Sequence, residues 1–414
     1  MVMQKDEILN FYISQIQDNF MPYWRQFEDK ENGGILNCIN NFGDKKLSNN
    51  KFTWSQGRYL WILGKIYDLN QKNIFPKIDN ESIKVQMDKT YNFITRYSIY
   101  DSKCCYLLDE FGNKLVDEKT KRYDASIFAD CFALIGMAQY VKSLNKKELV
   151  EEVTALYNSI TERIKQNDFL TQPYPIPEGY KVHSIPMIML NTTYEYIKML
   201  QKLGLDYKKE IEYGLKQINT ILEDFCCNDL IREYISIDDN YETYLLDRHI
   251  NPGHTLEDMW FIIEFLREFG DLNKYISKIV RISKKTFKLG WDKEYGGLLR
   301  FVDKDGTAPH GVFQNSDYEL LIRDTHDMKL WWPHSEILYL FLLLYELTND
   351  EEMIKLYEKS FEYVFNTFPN KEIGEWIQIR KRDGTPEDKL VALPVKDPFH
   401  ILRNFIKIIE LYES

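Results

Sequence analysis

The sequence predicts an all-α fold, a closed ring of six helical hairpins, from three observations. Apolar residues recur at the 3.6-residue helical spacing along the whole chain. Twelve stretches carry that pattern. The second helix of each pair returns at intervals of 59 to 75 residues, about one sixth of the 414-residue chain, which is the signature of repeated supersecondary units.

In chain order the helices are expected near 5–27, 51–69, 81–97, 124–144, 146–166, 183–203, 206–225, 254–270, 272–289, 329–348, 350–367 and 397–412. No Ser- or Pro-rich linker divides them, so one domain over residues 1–414 is expected. Four pairs carry, between their two helices, a short strand and a turn whose Gly or Asn tolerates positive φ. These segments are Gly33-Gly34-Ile35 leading to Gly43-Asp44, Tyr106-Leu107-Leu108-Asp109 leading to Gly112, Gly296-Gly297-Leu298 leading to Asp305-Gly306, and Gly374-Glu375-Trp376 leading to Asp383-Gly384. Residues 230–238 read as a degenerate fifth. The even-numbered helices open on polar and aromatic residues, which suits an inner layer whose N-terminal ends, with the short β-hairpins, line one mouth. An open α-solenoid is the alternative, although its repeats are usually shorter.

Hydrophobic residues make up 44% of the chain, enough for a large core. The net charge of −11 argues against nucleic acid as the main partner, since phosphate binding needs a basic face. Residues 1–20 hold no apolar run suited to a signal peptide, and no stretch approaches eighteen uncharged apolar residues. A cytoplasmic protein with no membrane span is therefore expected. The six cysteines include the adjacent pairs Cys104-Cys105 and Cys226-Cys227 but no CxxC. Reduced thiols and no metal site are the expectation.

Of seven histidines, His183, His254 and His400 fall at or near the start of an even-numbered helix. A helix N-terminus disfavours the imidazolium and keeps the ring neutral as a base. For any one of them a plain helix-start hydrogen bond explains the position equally well; three from different repeats point to a shared site. Glu257 stands three residues after His254, on the same helix face, where a carboxylate either orients the imidazole or caps the helix. His400 and Arg403 share that spacing. Arg58 and Arg403 are candidates to hold an oxyanion that forms in a transition state, or else ordinary ion-pair residues. Trp54, Trp61, Trp260, Trp331, Trp332 and Trp376 lie near helix starts or turns. Flat apolar faces beside polar edges suit sugars, while core packing accounts for at least half of these residues.

With these residues in view, the chain resembles the N-acylglucosamine 2-epimerase family, known also through the renin-binding proteins. The matching runs are Trp54-Ser55-Gln56-Gly57-Arg58, residues 128–134, Pro186-Met187-Ile188-Met189-Leu190, Asn251-Pro252-Gly253-His254-Thr255-Leu256-Glu257, residues 290–297, residues 329–336, Gly374-Glu375-Trp376 and Phe399-His400-Ile401-Leu402-Arg403. The resemblance implies an (α/α)6 barrel and proton transfer at C2 of an open-chain sugar by two histidines, His254 and His400. Arg58, Glu257, Glu336 and Arg403 match positions that the family uses in its site, and His183 matches a site histidine of the isomerase and cellobiose epimerase branches. Trp331 and Trp376 complete the expected substrate-binding set. No metal or redox cofactor is implied; ATP is a candidate activator and a homodimer a candidate assembly.

The expected substrates are N-acetylglucosamine and N-acetylmannosamine. Mannose or glucose, a sulfosugar and cellobiose are the alternatives within the superfamily, by epimerisation or by aldose–ketose isomerisation. Outside it stand a non-catalytic binding module and an inverting glycoside hydrolase. The hydrolase needs two carboxylates across the sugar, with Asp130, Glu257 and Glu336 as candidates.

Overall fold

A computed structural model describes residues 4–237 and 243–413. Its twelve long helices are α1 (Lys5–Ser14, continued by irregular helical turns through Phe27), α2 (Thr53–Asn70), α3 (Asn80–Phe93), α4 (Ile127–Leu144), α5 (Val150–Gln166), α6 (Ser184–Leu203), α7 (Lys208–Asn219), α8 (Pro252–Phe269), α9 (Leu272–Gly290), α10 (Trp331–Thr348), α11 (Glu351–Thr367) and α12 (Phe399–Glu413). Two short helices in the loops, Leu245–Arg248 and Asp317–Thr325, are too brief for periodicity to reveal.

The even-numbered helices form the inner layer. Each touches the next, and α12 returns to α2, which closes the ring. Each odd-numbered helix from α3 to α11 packs on the inner helix before it, and α1 packs on α12. Burial follows from sequence. α10 is apolar nearly all round and buries everything from Pro333 to Leu344. α9 buries one stripe, Ile279, Ile282, Thr286 and Phe287, and turns Lys285 and Lys288 outward, as an outer helix should. α4 has the length and hydropathy of a membrane-crossing helix, but 78% of it is buried as an inner stave between α2 and α6.

Helices α2 and α4 meet backbone to backbone. A Cβ on Gly57 would lie 2.1 Å from the Phe132 carbonyl oxygen, and one on Gly136 would lie 2.3 Å from that of Gly57. Only glycine permits that approach, and it places the neighbouring Arg58 side chain over Phe132.

The expected turns are present, but the strands do more than form local hairpins. Leu107–Leu108 pairs with Lys114–Leu115 around Gly112, and Pro369–Asn370 pairs with Glu375–Trp376 around Gly374. Single bridges flank the other glycines, as between Trp291 and Leu298. Beyond these, the residues just before each inner helix pair with the loop of the following repeat. The registers are Lys51 with Leu108, Ser126 with Thr171, Val182 with Tyr234, Ile250 with Val302, and Leu330 with Ile379. The sixth contact closes the circle, the Lys396 amide donating to the Asn37 carbonyl at 2.9 Å. The degenerate segment at 230–238 is part of this scheme: Leu230–Ile231 pairs with Cys226–Cys227 and Tyr234–Ser236 with Tyr180–Val182, while Asp238 lies outside the described residues. Pairings of one to three residues across about fifty residues have no period, so sequence patterning does not announce them.

Candidate active site

The first turns of the inner helices line one cavity of about 220 Å³. His254 and Glu257 enter from α8, His400 and Arg403 from α12, Arg58 from α2, and Trp331 and Trp332 from α10. The Trp332 indole contacts both histidines, its ring 5.2 Å from that of His254 and 5.7 Å from that of His400.

The run Asn251-Pro252-Gly253-His254 has a local logic. The Asn251 side chain caps α8 by accepting from the His254 amide at 3.2 Å, and Pro252 suits the first helical turn, where no amide donor is needed. Gly253 leaves room for Trp332, whose ring a Cβ would meet at 2.4 Å. His254 then enters the cavity with its Nδ1 2.9 Å from each oxygen of Glu233. Glu233 thus holds the Nδ1 proton and leaves Nε2 as the free base. Burial opposes the Glu233 charge, but His254 and His183 outweigh it and hold the carboxyl well below its usual range.

His400 has the same construction with different partners. Its Nδ1 lies 2.7 Å from Glu336, which also accepts from Trp260 Nε1 at 2.8 Å and Arg403 Nη2 at 2.7 Å. Its Nε2 faces Arg58 Nη2 at 3.3 Å. Burial first, with Arg58 and Arg403 adding to it against Glu257 and Asp397, pulls the imidazole down to about 3, so it is neutral in the resting protein. Burial also raises the Glu336 carboxyl, which Arg403 partly offsets.

Arg58 is packed between Phe132 at 3.9 Å, Trp54 at 4.8 Å and Phe399 at 5.0 Å, and pairs with Asp397 at 3.4 Å. Burial pulls it down to about 10, which leaves it a cation at neutral pH. Trp331 donates to the same Asp397 at 3.3 Å.

Several expected site residues take other positions. Glu257 is on the cavity wall but does not orient His254; it pairs with Arg403 and stands 3.7 Å from His400 Nδ1. One helical turn brings Glu257 to the same face as His254, but the ring of His254 leans back to Glu233. His183 is fully buried outside the cavity lining, its Nε2 2.8 Å from Asp258 and its Nδ1 3.9 Å from Glu233. Burial pulls its imidazole down, yet these two carboxylates outweigh burial and the helix N-terminus and raise it to about 9. His183 therefore braces Glu233 from behind. Trp376 is core, packed among Phe20, Phe365, Phe368 and Phe405. Glu336 sits behind His400, not at the cavity surface. Asp130 is fully buried against Arg163 at 2.5 Å, away from the cavity, and with Glu257 and Glu336 tied to Arg403 the carboxylate pair of a hydrolase does not form.

Sequence reasoning misses Glu233, Asp258 and Asp397 as partners. Asp258 and Asp397 stand within four residues of His254 and His400, a signal that proximity offers. Glu233 has none: the pairing of residues 180–182 with 234–236, extended by the His183 amide donating to the Glu233 carbonyl at 2.9 Å, carries it to His254. Among the described residues carboxylates and imidazoles come within metal-ligand proximity in three groups, Asp303–Asp305–His310 away from this cavity and two at it, of which the first is His183–Glu233–His254 and the second Glu257–Glu336–His400. In the second the Arg403 guanidinium already bridges both carboxylates, and in the first two imidazoles share one. The arrangement supplies two carboxylate-backed imidazoles and a cation in one partly enclosed, apolar-walled cavity, which is equipment for moving a proton at carbon.

A family model described as N-acylglucosamine 2-epimerase (GlcNAc 2-epimerase) matches residues 34–403. The N-acylglucosamine 2-epimerase of Bos taurus is 27% identical over 93% of this chain and 87% of its own length. The cellobiose 2-epimerase of Dictyoglomus turgidum is 21% identical over 95% of this chain and 96% of its own. Among solved structures, the cellobiose 2-epimerase of Bacillus thermoamylovorans superposes with a TM-score of 0.75 at 18% identity, covering 98% of this chain and 100% of that one, and so shares the barrel.

Proposed function

Because the chain belongs to the N-acylglucosamine 2-epimerase family and is thereby a sugar 2-epimerase, an isomerase, we propose that it interconverts N-acetyl-D-glucosamine and N-acetyl-D-mannosamine. The observation that carries the mechanism is the pair His254 and His400, each with Nδ1 on a carboxylate and each against Trp332 in one cavity. In the open-chain sugar the C1 aldehyde acidifies the C2 hydrogen. One imidazole takes that proton through Nε2, and the electron pair moves onto O1 as an enolate, which keeps the acetamido nitrogen on C2 in the N-acetyl sugars and is an enediolate only in sugars with a C2 hydroxyl. Arg58, a cation beside His400, neutralises the charge. The other imidazole, as imidazolium, returns a proton to the opposite face of C2. In a sugar with a C2 hydroxyl, delivery to C1 with loss of the O2 proton makes a ketose instead, the isomerase alternative.

The N-acetyl assignment rests on relative likeness: the N-acylglucosamine 2-epimerase of Bos taurus is 27% identical, the cellobiose 2-epimerase of Dictyoglomus turgidum 21%. The side chains carry the proton themselves, so the reaction is proposed to need no cofactor, in one cytoplasmic domain; ATP response and dimerisation are read by assays with and without ATP and by sedimentation. The deciding experiment incubates N-acetyl sugars, mannose, glucose and cellobiose in deuterated water and follows C2 by NMR. Exchange and epimerisation of the N-acetyl pair is the expected result. Turnover of mannose or glucose alone overturns the substrate, and no exchange in any sugar overturns the mechanism.

A further inference from the structure

Arg300 is a buried cation in the cavity wall that pairs with no carboxylate among the described residues. It lies in the loop between α9 and α10 and is 7% exposed. Its Nη1 donates to Thr325 Oγ1 at 3.0 Å, and its Nη2 donates to the Val391 carbonyl at 3.1 Å and the Tyr174 hydroxyl at 3.4 Å. Every one of these acceptors is neutral. Among the described residues Arg300 makes no ion pair, whereas the other two guanidinium groups of the cavity are paired, Arg58 with Asp397 and Arg403 with Glu257 and Glu336.

Burying an ion without a counter-charge is costly, and such charges persist where a partner arrives from outside. Pinning the Val391 loop does not account for the charge, because the Tyr174 hydroxyl already donates to the same carbonyl. The bonds made within the protein use at most three of the five guanidinium N–H groups, and the remaining donors are open to an oxyanion. Arg58, not Arg300, faces His400, so Arg300 addresses a part of the sugar other than the reacting carbon.

We propose that Arg300 is an oxyanion subsite of this cavity, so that the preferred substrate is a sugar bearing a carboxylate or a phosphate monoester away from C1 and C2. The inference rests on the reading that the cavity holds an open-chain sugar, and it adds a charged substituent to that sugar. A neutral N-acetyl sugar still reacts, but its binding leaves Arg300 without a counter-charge.

Unreactive open-chain mimics separate the subsite from the chemistry. Calorimetry compares glucitol with glucitol 6-phosphate and with its 6-carboxylate counterpart, inorganic phosphate serving as control. The wild-type protein is expected to bind an anionic mimic about 100-fold more tightly than glucitol, as a charge-assisted contact in a low-dielectric site allows. Which anion gains more distinguishes phosphate from carboxylate. R300Q is expected to reduce that preference to about threefold or less while leaving glucitol affinity unchanged. Equal binding of charged and neutral mimics by wild type overturns the proposal, and so does an R300Q protein that weakens both equally with a lower Tm, the result for a simple loop clasp. Should R300Q not fold, R300K keeps the charge without the guanidinium and is expected to retain a weaker anion preference; an unaltered or absent preference counts against the guanidinium subsite. Deuterium exchange at C2 of the neutral sugars by R300Q reports on the histidines alone, so failure of the epimerase reading and failure of the subsite are seen in different measurements.

Discussion

Both oxygens of Glu233 lie 2.9 Å from Nδ1 of His254, a symmetric clasp that fixes which ring nitrogen is free. Glu233→Gln keeps an acceptor but removes the counter-charge of the imidazolium. We expect kcat to fall by about 10²-fold or more with KM little changed. Steady-state kinetics on both epimers check this. Glu257→Gln, which touches Arg403 and not His254, is the contrasting variant and is expected to disturb the His400 side.

Replacing either histidine by Asn is expected to lower net epimerisation by about 10²–10⁴-fold. The remaining imidazole still serves one face of C2. Each variant should therefore wash deuterium into one epimer and not the other, with opposite preferences. Near wild-type epimerisation by either folded variant defeats the two-base reading.

Arg58→Ala behaves differently. The enolate is common to both directions, so exchange from both epimers should slow together, by about 10²–10³-fold for loss of an oxyanion-stabilising group. A variant that slows one epimer only assigns Arg58 to a single face.

Stability should peak near pH 6.5, for two opposite reasons. The folded His183 imidazole is raised from 6.5 to about 9, so its stabilisation is complete below 6.5 and is lost as pH rises through about 9. The folded His400 is lowered from 6.5 to about 3; below 6.5 the unfolded chain binds a proton that the folded one refuses, so stability falls as pH drops toward 3. Urea unfolding across pH 4–10 measures both limbs. His183→Asn, which strands Asp258, should cost about 3–5 kcal/mol at neutral pH and flatten the alkaline limb.

Gly57→Ala tests the contact between α2 and α4. The added methyl meets the Phe132 carbonyl at 2.1 Å, and overpacking of this kind costs about 1–3 kcal/mol. Since Arg58 is the next residue, activity should fall even in protein that remains folded. Thermal unfolding and the exchange assay together report the two effects.

The twelve helices, their inner and outer layers and the turn glycines follow from the chain itself, because each depends on local spacing: one apolar stripe for an outer helix such as α9, apolar faces all round for α10. The same local logic marks His254 and His400 as helix-start residues, and Arg58, Glu257 and Arg403 as neighbours on helices bound for the same mouth. Which side chain answers which is another matter. Glu257 is one turn from His254 in sequence but pairs with Arg403, 146 residues away. Glu233 is 21 residues from His254 and is brought to it by two strands that pair across a repeat. His183 and Trp376 share the motif look of site residues and end in the interior, one between carboxylates and the other among phenylalanines. Periodicity and capping are properties of a few consecutive residues and so are written in the sequence. The partner of a buried charge is chosen by closure of the ring, when six helix starts from distant repeats leave water together and each charge must find its counterpart among those that arrive beside it.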